Sequence, residues 1–308
     1  MLSRSTILVC ALAGGCSYSP GTAAGDANGN GVADSDSRTR TDGGDCVFSA
    51  WSPPQAIASL GSQGLDARPR LSPDELSVIF YSDRLGDRDL FTATRGGLNE
   101  PFSMPEIVPV VNTTASDRDP ALTPDGLQLF FATDRAGTLD IYTASRLSTS
   151  ANFAAPQSIA ALNTANHDYF LSLSHDGLTI YFSALRSGGT GTHDIWYSTR
   201  ANLGAAFSDV QLLGGVNSST YNDHCTAMSA DGLELYVSQT LAGSDIDIFV
   251  ATRADTQSAF DTPIRVAELS FPGEDHPGWL SRDRLRFYYS NQSAGGSAQI
   301  YLATRTCD

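Results

Sequence analysis

The chain has 308 residues, with 19 Lys and Arg against 34 Asp and Glu, a net charge of −15 and a pI near 4.5. So few cations argue against nucleic acid or an anionic membrane surface as a partner, because phosphates must be neutralised by Lys and Arg. A hydrophobic share of 41% is enough for a core, and the length suits one large repeat domain or two ordinary ones.

In residues 1–16, Arg4 supplies a short positive region, Ile7 to Ala13 an apolar stretch, and small residues follow. That is the pattern of a secretory signal, too short to span a bilayer. Ala13-Gly14-Gly15-Cys16 resembles a bacterial lipobox, in which the cysteine is lipidated and becomes the mature N-terminus. Leu12 stands one place early and Ala13 holds the usual leucine position, so plain secretion is the alternative. If Cys16 is lipidated, Ser17 beside it implies the outer membrane, with membrane contact only through the anchor. No later segment approaches transmembrane length. Residues 17–45 are rich in Gly, Ala, Ser, Thr and Asp without an apolar period and read as a disordered linker. Within it Asp26, Asn28, Asn30 and Asp34 have a spacing similar to calcium loops of the EF-hand and thrombospondin type 3 families. Ser37 stands where those families place a bidentate carboxylate, so calcium binding there is weak or the segment is only a polar tether. No other cofactor is expected.

From residue 46 onward one pattern recurs five times: Leu71-Ser-Pro-Asp74, Leu122-Thr-Pro-Asp125, Leu173-Ser-His-Asp176, Met228-Ser-Ala-Asp231 and Leu280-Ser-Arg-Asp283. Its aspartates lie 51, 51, 55 and 52 residues apart, a period that points to a propeller or another repeat architecture. Each unit has four short runs. One follows an aromatic residue and often a proline, as at Trp51, Phe102, Phe153, Phe207 and Phe260. One leads into the Leu-Ser-x-Asp motif. The third is apolar and β-rich, as in Val78-Ile-Phe-Tyr81; the fourth is Leu90-Phe91, Ile141-Tyr142, Ile195-Trp-Tyr197, Ile248-Phe249 and Ile300-Tyr301, ending in a small residue, Thr or Ser, and Arg. Such runs between Gly, Asp and Ser are strands. Asp-Gly at 125–126, 176–177 and 231–232 suits the positive φ angles of a tight hairpin, so the commonest motif is a turn and not a catalytic element. Cys46 and Cys307 bracket the repeats and are a disulfide candidate in an oxidising compartment, while Cys225 stands alone.

Ser-Pro-Asp-Gly, an apolar strand, Ser-Asp-Arg, a glycine loop and Asp-Ile-Tyr together resemble the PD40 (WD40-like, TolB-type) β-propeller repeat, over residues 46–308. The resemblance implies an all-β fold of four-stranded antiparallel blades around a channel. Each proline-containing run is then the outer strand of the preceding blade. The run at 46–59 has no preceding blade and the last unit lacks an outer strand, so the two ends complete each other. Five blades result, with six as the alternative. Cys46 and Cys307 then lie on neighbouring strands of one blade, and their bond closes a ring worth ~5 kcal/mol in the chain-entropy model.

Eight residues before each turn aspartate stands another: Asp66, Asp117, Asp168, Asp223 and Asp275. In a propeller these mark the start of the innermost strand at one mouth of the channel. Arg84, Arg135 and Arg186 belong to loops on the same face in the first three repeats; Leu241 and Ser293 stand in their place in the last two, where His224 and His276 follow the ring aspartates. The ring has two readings: a structural one, in which Asp accepts backbone N–H bonds or pairs with Arg, and a ligand-binding one. The uneven neighbours point to a small polar ligand or a peptide end. By resemblance, the chain is a non-enzymatic envelope module, a monomer that binds a protein, a peptide or a small ligand at the mouth. The rival is a carbohydrate-active hydrolase using funnel carboxylates, since five-bladed propellers that cleave arabinan or fructan are known. The sequence has no Gly-x-Ser-x-Gly elbow and no His-Glu-x-x-His.

Overall fold

Among the described residues the apolar third and fourth runs of every repeat form strands, and the Leu-Ser-x-Asp motifs lead into turns. The computed structural model describes residues 46–240, 245–293 and 295–308, without the side chain of Cys225. Cys16, the calcium-loop candidates Asp26, Asn28, Asn30 and Asp34, and Leu241 lie outside the described residues. After β1 (Gln55–Ala56) the first repeat runs β2 (Asp66–Leu71), β3 (Ser77–Ser82), β4 (Asp89–Thr94) and β5 (Glu106–Ile107). The second has β6 (Asp117–Leu122), β7 (Gln128–Thr133), β8 (Asp140–Ser145) and β9 (Gln157–Ser158). The third has β10 (Asp168–Leu173), β11 (Thr179–Ala184), β12 (Asp194–Thr199) and β13 (Ser208–Leu212). The fourth has β14 (Asp223–Met228), β15 (Glu234–Thr240), β16 (Ile246–Thr252) and β17 (Ile264–Arg265). The fifth has β18 (Glu274–Leu280), β19 (Arg286–Gln292) and β20 (Ala298–Thr304).

The first three repeats are separate four-stranded antiparallel sheets. The last two differ from the expected pattern of independent sheets: they merge into one eight-stranded mixed sheet. The link is a single parallel pairing, Ile246 with Glu274, where Ile246 N–H donates to Gly273 O at 3.0 Å. These two strands are one residue longer than their counterparts in the first three repeats, which brings their ends into register. β1 pairs with β20, and a bridge joins Phe48 to Cys307. The disulfide Cys46–Cys307 forms there, with Cα atoms 5.4 Å apart.

Two side-chain devices explain most of the repeated sequence. In the turn, Ser72, Thr123, Ser174, Ser229 and Ser281 donate Oγ–H to the aspartate two residues on, at 2.5–2.6 Å. The same carboxylate accepts the N–H of the residue two further on, as Asp125 does from Leu127 at 3.0 Å. Only the residue after the aspartate takes a positive φ: Gly126 at 69°, Gly177 at 71° and Gly232 at 73°, with Glu75 and Arg284 strained into that region in the other repeats. The expected hairpin with two positive φ angles is thus a longer loop with one, closed by side-chain bonds.

The second device ends the fourth strand. Arg95, Arg146, Arg200, Arg253 and Arg305 each donate Nε–H to the turn carbonyl of their own repeat, at 2.7–2.9 Å. Each guanidinium also stacks 4.4–4.6 Å from an aromatic of the outer run: Phe102, Phe153, Phe207, Phe260 and, for Arg305, Trp51. The large rings of the third strands, Phe80, Phe130, Phe131, Phe182, Phe287 and Tyr289, are fully buried between sheets, each worth ~2–3 kcal/mol of burial.

Each repeat is also joined to the next by a backbone bond. Asp117 N–H donates to Arg88 O, Asp168 to Leu139 O, Asp223 to His193 O and Ala298 to Gly64 O, at 2.7–3.1 Å. The inner strands touch in cyclic order: β2, β6, β10, β14, β18 and back to β2. On the axis they share, Arg70 donates to the carbonyls of Leu171 and Gly278, and the hydroxyls of Ser172 and Thr226 bond each other. The void left there, lined by Ala121, Ala227 and Leu280 among others, is about 10 Å³.

Candidate functional site

Four of the five ring aspartates begin their inner strands and Asp275 is the second residue of its strand, and all are fully buried. Every one has both oxygens engaged. Asp66 accepts from Arg84 at 2.6 Å and from Ser62 N at 2.5 Å. Asp117 accepts from Arg135 at 2.7 Å and Thr113 N at 2.7 Å; Asp168 accepts from Arg186 at 2.8 Å and Thr164 N at 2.6 Å. The same arginines donate to the carbonyls of Leu60, Val111 and Leu162. Each Asp–Arg pair thus pins the connection that enters its repeat. These six side chains have the geometry of the structural reading.

Repeats four and five lack the arginine and substitute an amide at a different position. Gln239 Nε2 donates to Asp223 at 2.6 Å and to Val216 O at 3.2 Å; Asn291 Nδ2 donates to Asp275 at 3.0 Å. Gln239 and Asn291 pair directly with those aspartates across the strands, two residues before the positions that correspond to the arginines. Without a cation the carboxyls respond to burial. It pushes both Asp223 and Asp275 up to about 7, against the smaller opposing effect of their hydrogen bonds.

Two residues after the ring aspartate the inner strand bulges in the first four repeats, and in the fifth it bulges three residues after, at Gly278. In the first three repeats the bulged residue is Arg68, Asp119 or Phe170, with φ of 58°, 53° and 57°. A side chain in that region costs ~1–2 kcal/mol, and such strain concentrates where function demands it. The three bulged residues meet. Arg68 lies 4.5 Å over the Phe170 ring and 3.4 Å from an Asp119 oxygen, and the other Asp119 oxygen accepts Phe170 N–H at 3.0 Å. Asp119 and Arg68 are buried, while Phe170 and its neighbour Tyr169, rings 4.0 Å apart, are half-buried. Arg118 lies 5.3 Å over Tyr169.

Four of the five histidines gather at this floor. His224 and His276 lie 5.1 and 6.0 Å from Phe170, His193 lies 5.7 Å from Tyr169 and 6.3 Å from His224, and His167 lies 6.2 Å from Tyr169. His224 Nε2 bonds Thr240 Oγ1 at 3.0 Å, but its buried Nδ1 has no hydrogen-bond partner among the described residues. His276 bonds Ser238 Oγ at 3.3 Å and Glu274 at 3.4 Å. Burial pushes His224 down to about 3, helped by His276 and Arg68, and holds His276 well below its ordinary value. Both rings are therefore neutral near pH 7 and act as polar, stackable surfaces rather than cations. Sequence reasoning found His224 and His276 but missed Arg68, Asp119, Tyr169, Phe170 and His193. Five different residues (Arg68, Asp119, Phe170, Cys225 and Pro277) stand two places after the ring aspartate of an otherwise regular repeat, and that variation was the available signal.

No protein-family model matches the sequence, and no curated protein matches it. Solved structures do resemble it. A putative TolB from Agrobacterium tumefaciens is 18% identical with a TM-score of 0.50, over 82% of this chain and 80% of that one. An α-L-arabinofuranosidase from Podospora anserina, in complex with cellotriose, is 10% identical with a TM-score of 0.53, over 84% and 97%. Against TolB from Acinetobacter baumannii, 18% identical with a TM-score of 0.49, the match takes in 80% of this chain but spans only 56% of that one. At these identities the likeness is one of fold: an all-β, propeller-type arrangement of four-stranded sheets.

Proposed function

We propose that the chain is a five-bladed β-propeller of the cell envelope, or a secreted one, that binds a protein segment, a peptide end or a small polar ligand at the mouth floored by Arg68, Asp119 and Phe170. Five blades are supported by the cyclic contact of the inner strands and by the backbone bond from the fifth repeat to the first. Closure by the N-terminal strand is supported by Arg305, which stacks on Trp51 as the other four arginines stack on their outer-strand aromatics. The leader pattern and the Cys46–Cys307 bond both fit an oxidising compartment, with Cys16 as the lipid attachment point.

The observation that carries the binding role is the meeting of three strained bulge residues from three repeats, beside a buried imidazole nitrogen that has no hydrogen-bond partner among the described residues. Half-buried Tyr169 and Phe170 give an aromatic platform, and His224 Nδ1 a point for one directional hydrogen bond. Carbohydrate hydrolysis is the second reading, favoured by the likeness to arabinofuranosidases. It needs two available carboxylates at a defined separation, and the ring aspartates are all engaged.

A photo-crosslinking amino acid at Tyr169 tests the proposal, with one at Asp176 on the turn face as control. Adducts with an envelope protein or peptide at Tyr169 alone, lost on Phe170→Ala, are expected. Equal labelling at both positions overturns the binding role. So does robust glycan turnover that Asp119→Asn abolishes while the fold survives.

A further inference from the structure

The five junctions between successive repeats differ on the turn face. Each places the first residue of one third strand opposite the strand-ending arginine of the next repeat. Gln128 accepts from Arg200 at 2.7 Å, and Glu234 from Arg305 at 3.3 Å and Arg284 at 3.1 Å. Between the fifth repeat and the first, Arg286 holds Glu75 at 2.8 Å, and Tyr288 hydroxyl joins Glu75 to Arg95. These three junctions are bridged. In the other two the residue is short: Ser77 faces Arg146, and Thr179 faces Arg253. Among the described residues, no side chain of the preceding repeat bonds either guanidinium. A cleft opens at each, about 710 Å³ at Arg146 and about 640 Å³ at Arg253.

The cleft at Arg146 is walled by Val78, Val108, Pro109, Leu122, Pro124 and Phe153. Its guanidinium is fixed by the Nε bond to Gly126 O and by stacking 4.5 Å from Phe153, so the terminal nitrogens border the cleft already oriented. The rim carboxylates Asp74 and Asp125 are turned into their own turns, bonded to Ser72 and Leu76 and to Thr123 and Leu127. The other bordering cations are engaged elsewhere: Arg95 donates its terminal nitrogens to Leu98 O and Tyr288, and Arg70 donates to the carbonyls of Leu171 and Gly278. A cavity of this size with apolar walls and one fixed fork of donors has the make-up of a small-molecule site.

We propose that this cleft binds a small carboxylate with an apolar body, of the medium-chain fatty acid class, its head on Arg146 and its chain against the Val78–Val108–Leu122 wall. The second cleft is lined by Tyr181, Tyr197, His175 and Ser258 and is too polar for such a chain.

Calorimetric titration of the full-length protein with decanoate is the test, with decanol as the uncharged control. Saturable binding of decanoate is expected, with decanol ~10–100-fold weaker, the worth of a charge-assisted bond. Ser77→Gln, which copies Gln128 at the bridged junction, should weaken decanoate at least ~10-fold without lowering the unfolding midpoint. Arg146→Gln should weaken it as much, and if that variant fails to fold Ser77→Gln decides. Absence of saturable binding, equal affinity for decanoate and decanol, or unchanged affinity in Ser77→Gln overturns the proposal. None of these outcomes bears on the mouth at the opposite face.

Discussion

Ser293 occupies in the fifth repeat the place that Arg84 takes in the first, and Ser293→Arg should supply Asp275 with the cation it lacks. In the parent, Asp275 among the described residues accepts from Asn291 Nδ2 and Phe271 N–H, with Asp247 and Arg265 as the nearby charges. Its carboxyl is raised from 3.8 to about 7 by burial. An acid raised in this way holds its proton in the folded state and loses it in the unfolded one. Stability is therefore full below pH ~4 and declines as pH climbs to ~7, by ~1.4 kcal/mol per pH unit and ~4 kcal/mol at most. An arginine holding the carboxylate charged removes that decline. The variant should gain ~2–3 kcal/mol more over the parent at pH 8 than at pH 5. Urea unfolding of both proteins at the two pH values measures it, with unchanged m-values as the check on a common two-state transition. The same difference at both pH values, within ~0.5 kcal/mol, would refute the reasoning.

Three further outcomes are expected. Arg135→Met leaves Asp117 buried without its cation and should cost ~3–5 kcal/mol in urea unfolding at pH 7; less than ~1 kcal/mol means the pair is not a latch. Opening the Cys46–Cys307 bond, which spans 261 residues, should lower the thermal midpoint by the equivalent of ~2–5 kcal/mol, read as the shift on adding reductant and in the double alanine variant. Gly126→Ala forces a side chain to φ 69° and brings a Cβ to 3.2 Å from Thr149, for a loss of ~1–2 kcal/mol with the fold retained, since Glu75 and Arg284 already hold that conformation in other repeats.

The sequence was most readable where the repeat is constant. Leu-Ser-x-Asp and the ring aspartates recur because each repeat solves the same local problem, a turn to close and a connection to pin, and spacing alone locates them. The Cys46–Cys307 pairing followed from strand order. Replacement of one solution by another was harder to see: Gln239 and Asn291 do the work of an arginine from a position two residues earlier, while Leu241 and Ser293 stand at the arginine positions. The mouth was least readable. Arg68, Asp119 and Phe170 share a backbone conformation but no chemistry, and they meet only because three bulges turn them to one axis. The strand-ending arginines were visible as a motif, but their unequal partners at the five junctions depend on contacts between repeats that no single repeat spells out.

Arg70 has a consequence for anything held at the mouth. Its guanidinium ties the first repeat to the third and the fifth across the axis, and the five inner strands leave a void no larger than one water beside it. The axis is a blind well rather than a tunnel. A chain that enters must leave by the way it came, so the protein cannot be threaded like a bead on a strand. Under the binding role proposed above, the guest is therefore a free end or a protruding loop, taken up and released at the same rim.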